Sequence, residues 1–458
     1  MVEVSGTTIN FENNAITVSK KYTTENIQQF VDAFNLFSNS LNGESDSTLG
    51  AKRSASIEHF KVTGFPTTKH EEWKYTNMLP IIRNDFHPHL TLDQREVDEA
   101  FIRASGYRGE AFRLVFLNGH FLPEQSSLEG VPEGVVVTNL ASAIREKTDL
   151  VLEHIVGYGD SFEHSFATLN TAHLRDGAFL YIPKNVKLQK PVHILYLTTS
   201  TDQPVVTYPR TLLIAEGGAE GSVVEEFTGK SGEIYLTNAV AEAIVGENAH
   251  LSHIKIQHES RDAFHIGASH AKLGRNANYF NNTISFGGKI VRNDPWAVLE
   301  GEGGHAAVDG LYLVGEDQLI DNHTSIDHTV PNCTSHELYK GILRDNGHGV
   351  FNGKIFVQKD AQKTDSVQSN VNLLLSDEAE IDTKPQLEIY ADDVKCTHGA
   401  TIGRLDDTSI FYLRARGIGK AQAEQMLTYA FAVEVIEHIS DENIREYAIE
   451  LLDARLDK

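Results

Sequence analysis

A repeat led by glycine in the middle of the chain constrains the fold more than any other feature. Its copies begin at Gly218, Gly246, Gly274 and Gly301, so their starts are almost evenly spaced, with a period in the upper twenties. Each copy has a turn glycine, then a small residue, then a β-prone run, and the register fades after Gly304. Repeats of this length are typical of a β-solenoid, in which each coil stacks its strands on those of the preceding coil. The sequence therefore predicts a mainly β fold built of stacked coils.

The sequence around the repeat predicts where this solenoid begins and ends. Residues 166–404 have short strand-like runs, many Gly, Asn and Asp residues, and almost no helical periodicity. Within them, residues 365–375 alternate polar and apolar side chains, as the polar ladders of a solenoid do. Residues 1–165 are mixed and helical, with an amphipathic helix over residues 24–41, and residues 405–458 are helical. We therefore predict three parts, with boundaries at residues 165 and 404.

The C-terminal helices carry their own start and stop signals. Asp406 is placed to cap the first of them, Gly417 to end it, and Ser440 to cap the third. Helices that follow a solenoid can cover its open end, where strand edges would otherwise stay unpaired, and can offer a surface to another protein. We expect both roles here.

Charge and the N-terminal sequence narrow the class of protein. The chain has 40 Lys and Arg against 64 Asp and Glu, a formal net charge of −24, so it repels polyanions and nucleic acid is not an expected partner. The N-terminus lacks the basic-then-apolar order of a signal peptide, and the apolar runs are too short to span a bilayer. We therefore expect a cytoplasmic protein with no membrane partner. In a reducing compartment its two cysteines, Cys333 and Cys396, are expected to be free thiols.

Cys396 and His398 are the residues whose chemistry the sequence singles out. If residues 394–401 form a strand, the two side chains project from the same face, because successive side chains alternate. Thiolate and imidazole both bind zinc and iron, but a closed tetrahedral site needs four ligands and two are missing locally. The residues alone leave two interpretations open. One is a half-buried cysteine beside a hydrogen-bonded histidine, and the other is half of a metal site.

Longer strings resemble a known family. DDVKCTHGATIG at residues 392–403, FYLRARGI at residues 411–418 and GFPTTKHEEWKYTN at residues 64–77 resemble the SufB/SufD family of the SUF iron–sulfur cluster assembly system. The resemblance implies a right-handed parallel β-helix and a scaffold that is not an enzyme. It also implies that His398, and more weakly Cys396, ligate a transient iron–sulfur cluster or iron shared with a SufB-like paralogue.

The resemblance further implies the partners. In this family the C-terminal helices dock the ATPase SufC, and we expect Leu413, Arg414, Gly417 and Phe431 to contact it. The low cysteine count and the DDVKC string favour a SufD-type chain over a SufB-type chain, which would be the main cluster scaffold. We expect little or no stable cluster in the isolated chain, which could also pair with a second copy of itself.

A β-helical polysaccharide lyase or hydrolase is the alternative from another class. It would use Asp309, Asp321 or Asp327, the last two in the segment DNHTSIDH. Polar faces of this kind are common in β-helices, so a structural role is favoured. The charged residues of KHEEW at residues 69–73 are likewise interpreted as a solvated face. Residues 227–231 end like a phosphate-binding loop, but the first glycine of that motif is replaced by Val224. We therefore expect no catalytic site.

Overall fold

Two parallel sheets face each other along the whole core of the protein. The computed structural model describes residues 24–41, 47–93, 96–155, 165–200 and 203–456. From Arg210 onward successive strands alternate between the two sheets, so that each coil contributes one strand to each. This is a parallel β-solenoid, which confirms the predicted fold class.

The strands of the first sheet, sheet A, are listed in chain order: β4 Val136–Asn139, β5 Gly177–Ile182, β8 Arg210–Ala215, β10 Tyr235–Val245, β12 Phe264–Leu273, β14 Ile290–Leu299, β16 Leu319–His328, β18 His348–Val357 and β20 Glu380–Ile389, with β1 His87–Pro88 and β7 Val205–Thr207 at its side. Those of sheet B are β2 Phe112–Leu117, β3 His120–Phe121, β6 Val192–Thr198, β9 Glu220–Gly229, β11 His250–Gln257, β13 Asn278–Ser285, β15 His305–Val314, β17 Thr334–Leu343, β19 Asp365–Leu374 and β21 Lys395–Gly403. The pairs β2–β3 and β4–β5 are antiparallel, and the other pairs are parallel.

The strand register confirms the repeat and extends it. The first residues of successive sheet B strands pair in one continuous ladder, from Glu220 in β9 to Lys395 in β21. The coils therefore continue past Gly304, where the sequence repeat fades because the coil length is not constant. Corner residues such as Asn248 and Asn276 have φ of 57° and 53°. Asn and Asp tolerate this left-handed conformation better than other residues with a Cβ, so the corners favour them.

The lumen of the solenoid holds apolar and polar side chains together. Val223 and Val308 belong to its apolar cluster, and His253 and Asn281, in register between them, are buried and polar. In β19 the inward positions are polar and buried, which confirms the predicted polar ladder: Ser366, Gln368, Asn370 and Asn372. A row of buried polar side chains therefore lies directly beneath the last strand of sheet B.

Helices cover the outer faces of both sheets. On the N-terminal side they are α1 Thr24–Ser40, α2 Thr48–Thr63, α3 Leu79–Ile82, α4 Glu99–Ala104, α5 Leu140–Glu146, α6 Thr148–His154 and α7 Ser165–Ala172. Aromatic residues of α1, α2 and α7 pack with Phe264 and Ile290 of sheet A. After the solenoid come α8 Asp407–Arg414, α9 Lys420–Glu437 and α10 Glu442–Leu456. None of the helices in the described ranges is long and apolar enough to cross a membrane.

The C-terminal helices do not cap the end of the solenoid, and that prediction was wrong. Val435, Ile436 and Ala448 of α9 and α10 pack instead on the outer face of sheet B, against residues that include Ile254 and Leu311. The outer face of sheet B is apolar at these positions, so the helices bury this second face and leave the last coil open.

Two helix starts and the part boundaries can also be compared with the sequence. Asp406 caps α8 as predicted, since its side chain accepts the N–H groups of Thr408 and Ser409. The cap of α10 is Asp441, which accepts the N–H of Ile444, and not Ser440. The division at residues 165 and 404 stays a prediction, although β2 and β4 already belong to the two sheets.

Candidate functional site

The candidate site is the open end of the solenoid. Strands β20 and β21 are the last in their sheets, and each pairs on one side only with a strand that the structure describes. Most residues of β21 are exposed, although inward positions of the preceding coil are buried. An exposed edge of this length is a template for pairing with another chain.

Cys396 and His398 lie on the lumen side of this last coil. In the parallel register Cys396 pairs with Ser366 and His398 with Gln368, and paired residues point to the same side of a sheet. Ser366 and Gln368 are inward and buried, so both site residues face the lumen, which confirms that they share a face. Cys396 is half-buried and His398 is exposed.

Polar side chains continue beneath both residues into the lumen. Below Cys396, the hydroxyls of Ser366 and Ser335 are 2.7 Å apart, and Nε2 of His328 lies 2.9 Å from the hydroxyl of Ser335. Below His398, Gln368 Nε2 donates to Glu337 Oε2 at 2.7 Å. Sequence reasoning missed Glu337, although TSHELYKGIL places it on the inward face with Ser335.

Burial changes the acidity of two groups at this end. It raises the pKa of Glu337 to about 7, because a buried carboxylate loses its hydration. Burial, and then the negative charge of Asp365, raise the pKa of the Cys396 thiol. The thiol is therefore protonated at neutral pH unless a metal ion or a cationic group displaces the proton.

The donors gathered at this end are fewer than a metal site needs. Among the described residues there is no group of three or more His, Cys, Asp or Glu placed to hold a metal ion. Cys396 and His398 can supply one sulfur and one nitrogen ligand, which is half of the four that a closed site needs.

The two free edges at this end are not equivalent. Lys395 donates its N–H to Thr364 on the inner side, and alternation places the N–H groups of Cys396, His398 and Ala400 on the free edge. On β20 Glu380 donates its N–H on the inner side, so alternation places the odd-numbered residues of this strand on the free edge. One of them is Pro385, which has no N–H to donate. Only β21 therefore offers an uninterrupted row of donors.

The residues predicted to dock an ATPase differ in exposure. Arg414 and Gly417 are exposed, and Leu413 is half-buried. Phe431 is also half-buried, packs with the cluster beneath α9, and has Nζ of Lys340 4.5 Å from its ring centroid.

Two exposed aromatic side chains on α8 were missed by sequence reasoning. Phe411 and Tyr412 are 72% and 58% exposed. A helix as short as α8 that buries Ile410 cannot bury the two adjacent aromatic side chains as well. The exposure of Phe411 and Tyr412 could therefore have been predicted from the sequence.

The acidic residues of the alternative, lyase-like interpretation do not form one site. Asp309 lies in β15 under α9 and accepts a hydrogen bond from His438 at 2.7 Å. Asp321 lies in β16 of the other sheet, where it pairs with Arg292 at 3.0 Å and accepts a hydrogen bond from the Thr76 hydroxyl. Asp327 is 3.3 Å from Nε2 of Gln358. Asp309 and Asp321 therefore attach helices and the N-terminal segment to the solenoid.

The KHEEW motif belongs to the same attachment. The guanidinium of Arg292 lies 3.7 Å from the ring centroid of Trp73, which is 5% exposed. Glu72 Oε2 is 3.2 Å from Nδ1 of His323, and Glu71 pairs with Lys384. The motif therefore bridges to sheet A, which is a more specific structural role than the solvated face that we expected.

Fold and site together define a class of protein: a parallel β-solenoid that leaves one end open for strand pairing and presents an incomplete set of metal-binding donors there. Comparison with known proteins identifies the family. Residues 196–431 match the core domain of SufBD proteins, described as SUF system FeS cluster assembly, and residues 24–194 match the SufBD N-terminal region. The chain belongs to the SufBD family of iron–sulfur cluster assembly proteins.

Relatives from three organisms align over most of the chain. The iron–sulfur cluster assembly protein SufD of Escherichia coli is 34% identical over 89% of this chain and 94% of its own length. A SufBD family protein of Synechocystis is 33% identical over 87% of this chain and 89% of its own. A chloroplastic protein of Arabidopsis thaliana, ABCI7, is 30% identical over 95% and 94%.

Proposed function

We propose that this protein is a non-enzymatic, SufD-type subunit of a cluster assembly complex that pairs with a SufB-like paralogue through the open end of its solenoid. The observation that carries this proposal is the free edge of β21, because its unpaired N–H groups lie beside Cys396 and His398. A partner strand added there would bring its own side chains to the lumen, next to these two donors. An iron–sulfur cluster or iron would then be shared, with His398 as the main ligand from this chain and Cys396 as the weaker one.

The same proposal assigns the C-terminal helices to the ATPase SufC. Exposed Phe411 and Tyr412 lie on α8, and Leu413, Arg414 and Gly417 follow them. Large aromatic side chains that stay exposed are typical anchors of a protein interface. Docking at α8 would leave the packing of α9 and α10 on sheet B intact.

Co-expression with a SufB-like chain and SufC, followed by affinity purification, tests the pairing. Ala400→Pro removes an N–H that points to the free edge, so the inner hydrogen bonds of β21 with β19 are kept. We expect this variant to lose the SufB-like partner and to keep SufC. Ala400→Ser, which keeps the N–H, is the matched control and should retain both.

Retention of the SufB-like chain by a folded Ala400→Pro variant would overturn the β21 interface. A complex that contains two copies of this chain and no paralogue would instead show that the open ends pair with each other, in an isologous dimer. Light scattering on the purified complexes distinguishes these compositions.

A further inference from the structure

A groove between the solenoid and the C-terminal helices carries arginines that the proposed function does not use. It has a volume of about 410 Å³ and lies between sheet B, α8, α9 and the end of α10. Apolar side chains form part of its wall: Leu313, Ile342, Leu374, Leu405 and Ile410. Its charged lining includes three arginines: Arg344, Arg404 and Arg455. The groove is therefore amphipathic.

Guanidinium groups from different coils and from α10 converge at one end of the groove, where Arg344 and Arg455 line it and Arg261 lies just beyond its lining. Arg455 of α10 donates to Gln318 Oε1 at 2.7 Å, and the same oxygen accepts the N–H of Gly315 at 3.1 Å. A Cβ on Gly315 would lie 3.5 Å from Nη2 of Arg261 and 3.5 Å from Nε of Arg344. Gly315 thus marks a point that all three side chains approach.

The carboxylates near these three arginines compensate little of their positive charge. Burial, and then the like charges of Arg261 and Arg344, lower the pKa of Arg455 to about 10. Among the described residues, none is a hydrogen-bond partner of the buried Nε of Arg455. In the same part of the chain, the carboxylate at ion-pair distance from Arg344 is that of Asp345, at 3.9 Å.

Three other acidic residues lie at the groove or beside it without reaching this end. Arg404 pairs with exposed Asp377 at 2.6 Å. Asp407 and Glu424 also line the groove, yet within residues 203–456 neither is at ion-pair distance from Arg344 or Arg455. Guanidinium groups held this close together repel one another, and an anion placed between them would offset that repulsion.

We propose that this groove binds an organic phosphate. The phosphate would lie against Arg261, Arg344 and Arg455, because guanidinium groups match phosphate oxygens in charge and in geometry. The apolar part of the ligand would lie along Leu313 and Ile342. The groove is far larger than a phosphate ion and falls within the range of small-molecule sites, about 300–1,000 Å³. The site does not depend on the paralogue interface.

Calorimetric titration of the full chain with three probes tests this site. Adenosine monophosphate supplies both parts of the ligand, inorganic phosphate only the anion, and adenosine only the uncharged body. We expect the monophosphate to bind most tightly, phosphate more weakly and adenosine not at all. Arg455→Gln and Arg344→Gln should each weaken binding of the monophosphate by about tenfold or more, the size expected for a lost charge-assisted hydrogen bond.

The control is Arg275→Gln, which removes an exposed arginine that pairs with Glu247 far from the groove. Its affinity for the monophosphate should be unchanged. Arg455 also donates to Gln318, so its replacement removes a structural hydrogen bond as well. The melting temperature of each variant, together with the Arg344→Gln variant, therefore distinguishes lost binding from unfolding. Absence of monophosphate binding, or equal affinity in the Arg344, Arg455 and Arg275 variants, would overturn the site. Weaker capture of the ATPase by Arg455→Gln without any phosphate binding would also overturn it, and would make the groove a protein interface.

Discussion

His398 is the single residue on which the proposed shared cluster site depends most. Its imidazole is exposed at the lumen mouth, and replacement by alanine removes the proposed ligand without disturbing a packed core. We expect His398→Ala to assemble with both partners but to mature clusters poorly in cells. Cys396→Ser should be milder, since the half-buried thiol packs against the lumen cluster and its pKa is raised. Normal maturation by His398→Ala would remove the ligand role, and loss of the complex would make His398 an interface residue.

Ionisation of Glu337 makes the free energy of unfolding depend on pH, and the raised pKa of this buried group sets the direction of the change. Its pKa is 4.5 for the free side chain and about 7 in the folded protein, so the folded state favours the protonated form. Stability from this group is complete below pH 4.5 and is lost as pH rises through 7. The whole loss is about 3 kcal/mol.

Glu337→Gln keeps the acceptor for Gln368 but cannot ionise. We expect its melting temperature to match that of the unmodified protein near pH 5 and to exceed it at pH 8. Thermal unfolding at both pH values checks this, with exposed Glu380→Gln as the control. An equal difference between variant and unmodified protein at the two pH values would mean that Glu337 does not titrate in this range.

At the scale of residues, the sequence predicted that Cys396 and His398 share one face of a strand, but not which side chains lie beneath them. Cys396 and His398 are separated by a single residue, so alternation along a strand was enough to place them on one face. Gln368 lies one coil before His398 and Glu337 lies two coils before it, so only the lengths of the intervening coils align the three side chains. Those lengths are not constant, and a sequence period that fades cannot supply the alignment.

At the scale of elements, α8 exposes two adjacent aromatic side chains, Phe411 and Tyr412, to solvent. We expect Phe411→Ser and Tyr412→Ser to weaken capture of SufC by about tenfold or more, as for central interface aromatics, with little change in melting temperature. Leu36→Ser is a matched control, because Leu36 is 59% exposed on α1. Undiminished capture by both α8 variants would place the docking surface elsewhere.

Phe431 lies in the same C-terminal region, and its replacement distinguishes contact with SufC from packing on the solenoid. It contacts the cluster under α9, and Lys340 Nζ donates to its carbonyl oxygen at 3.0 Å. We expect Phe431→Asp to lower the melting temperature, since a charge would enter an apolar contact. Loss of SufC binding together with a lower melting temperature would report a displaced helix, and loss at an unchanged melting temperature would support the predicted contact of Phe431 with SufC. The sequence predicted α9 and α10 as amphipathic helices, but an apolar stripe does not state which surface covers it.

At the scale of the whole molecule, the position of the C-terminal helices explains why one end stays open. Strands β11 and β13 carry Ile254 and Ile284 on the outer face, while Leu251 and Tyr279 belong to the lumen cluster beside buried polar residues. An apolar outer face shows that something covers it but not which element does so, and the placement of α9 and α10 could therefore not be deduced from the sequence. With these helices packed on sheet B, no strand within the described ranges pairs with the free edge of β21.

An open end with two donors predicts how the isolated protein behaves. Iron–sulfur clusters are usually held by four ligands, mostly thiolates, and this chain brings Cys396 and His398 to its open end while Cys333 is buried elsewhere. We expect anaerobic reconstitution of the single chain to give little or no visible cluster absorbance, and the SufB-like paralogue to restore it. Light scattering on the same sample is needed, because a homodimer would double the donors. A stoichiometric, thiolate-ligated cluster in the monomer would contradict the shared site, since a monomer cannot borrow ligands across an interface.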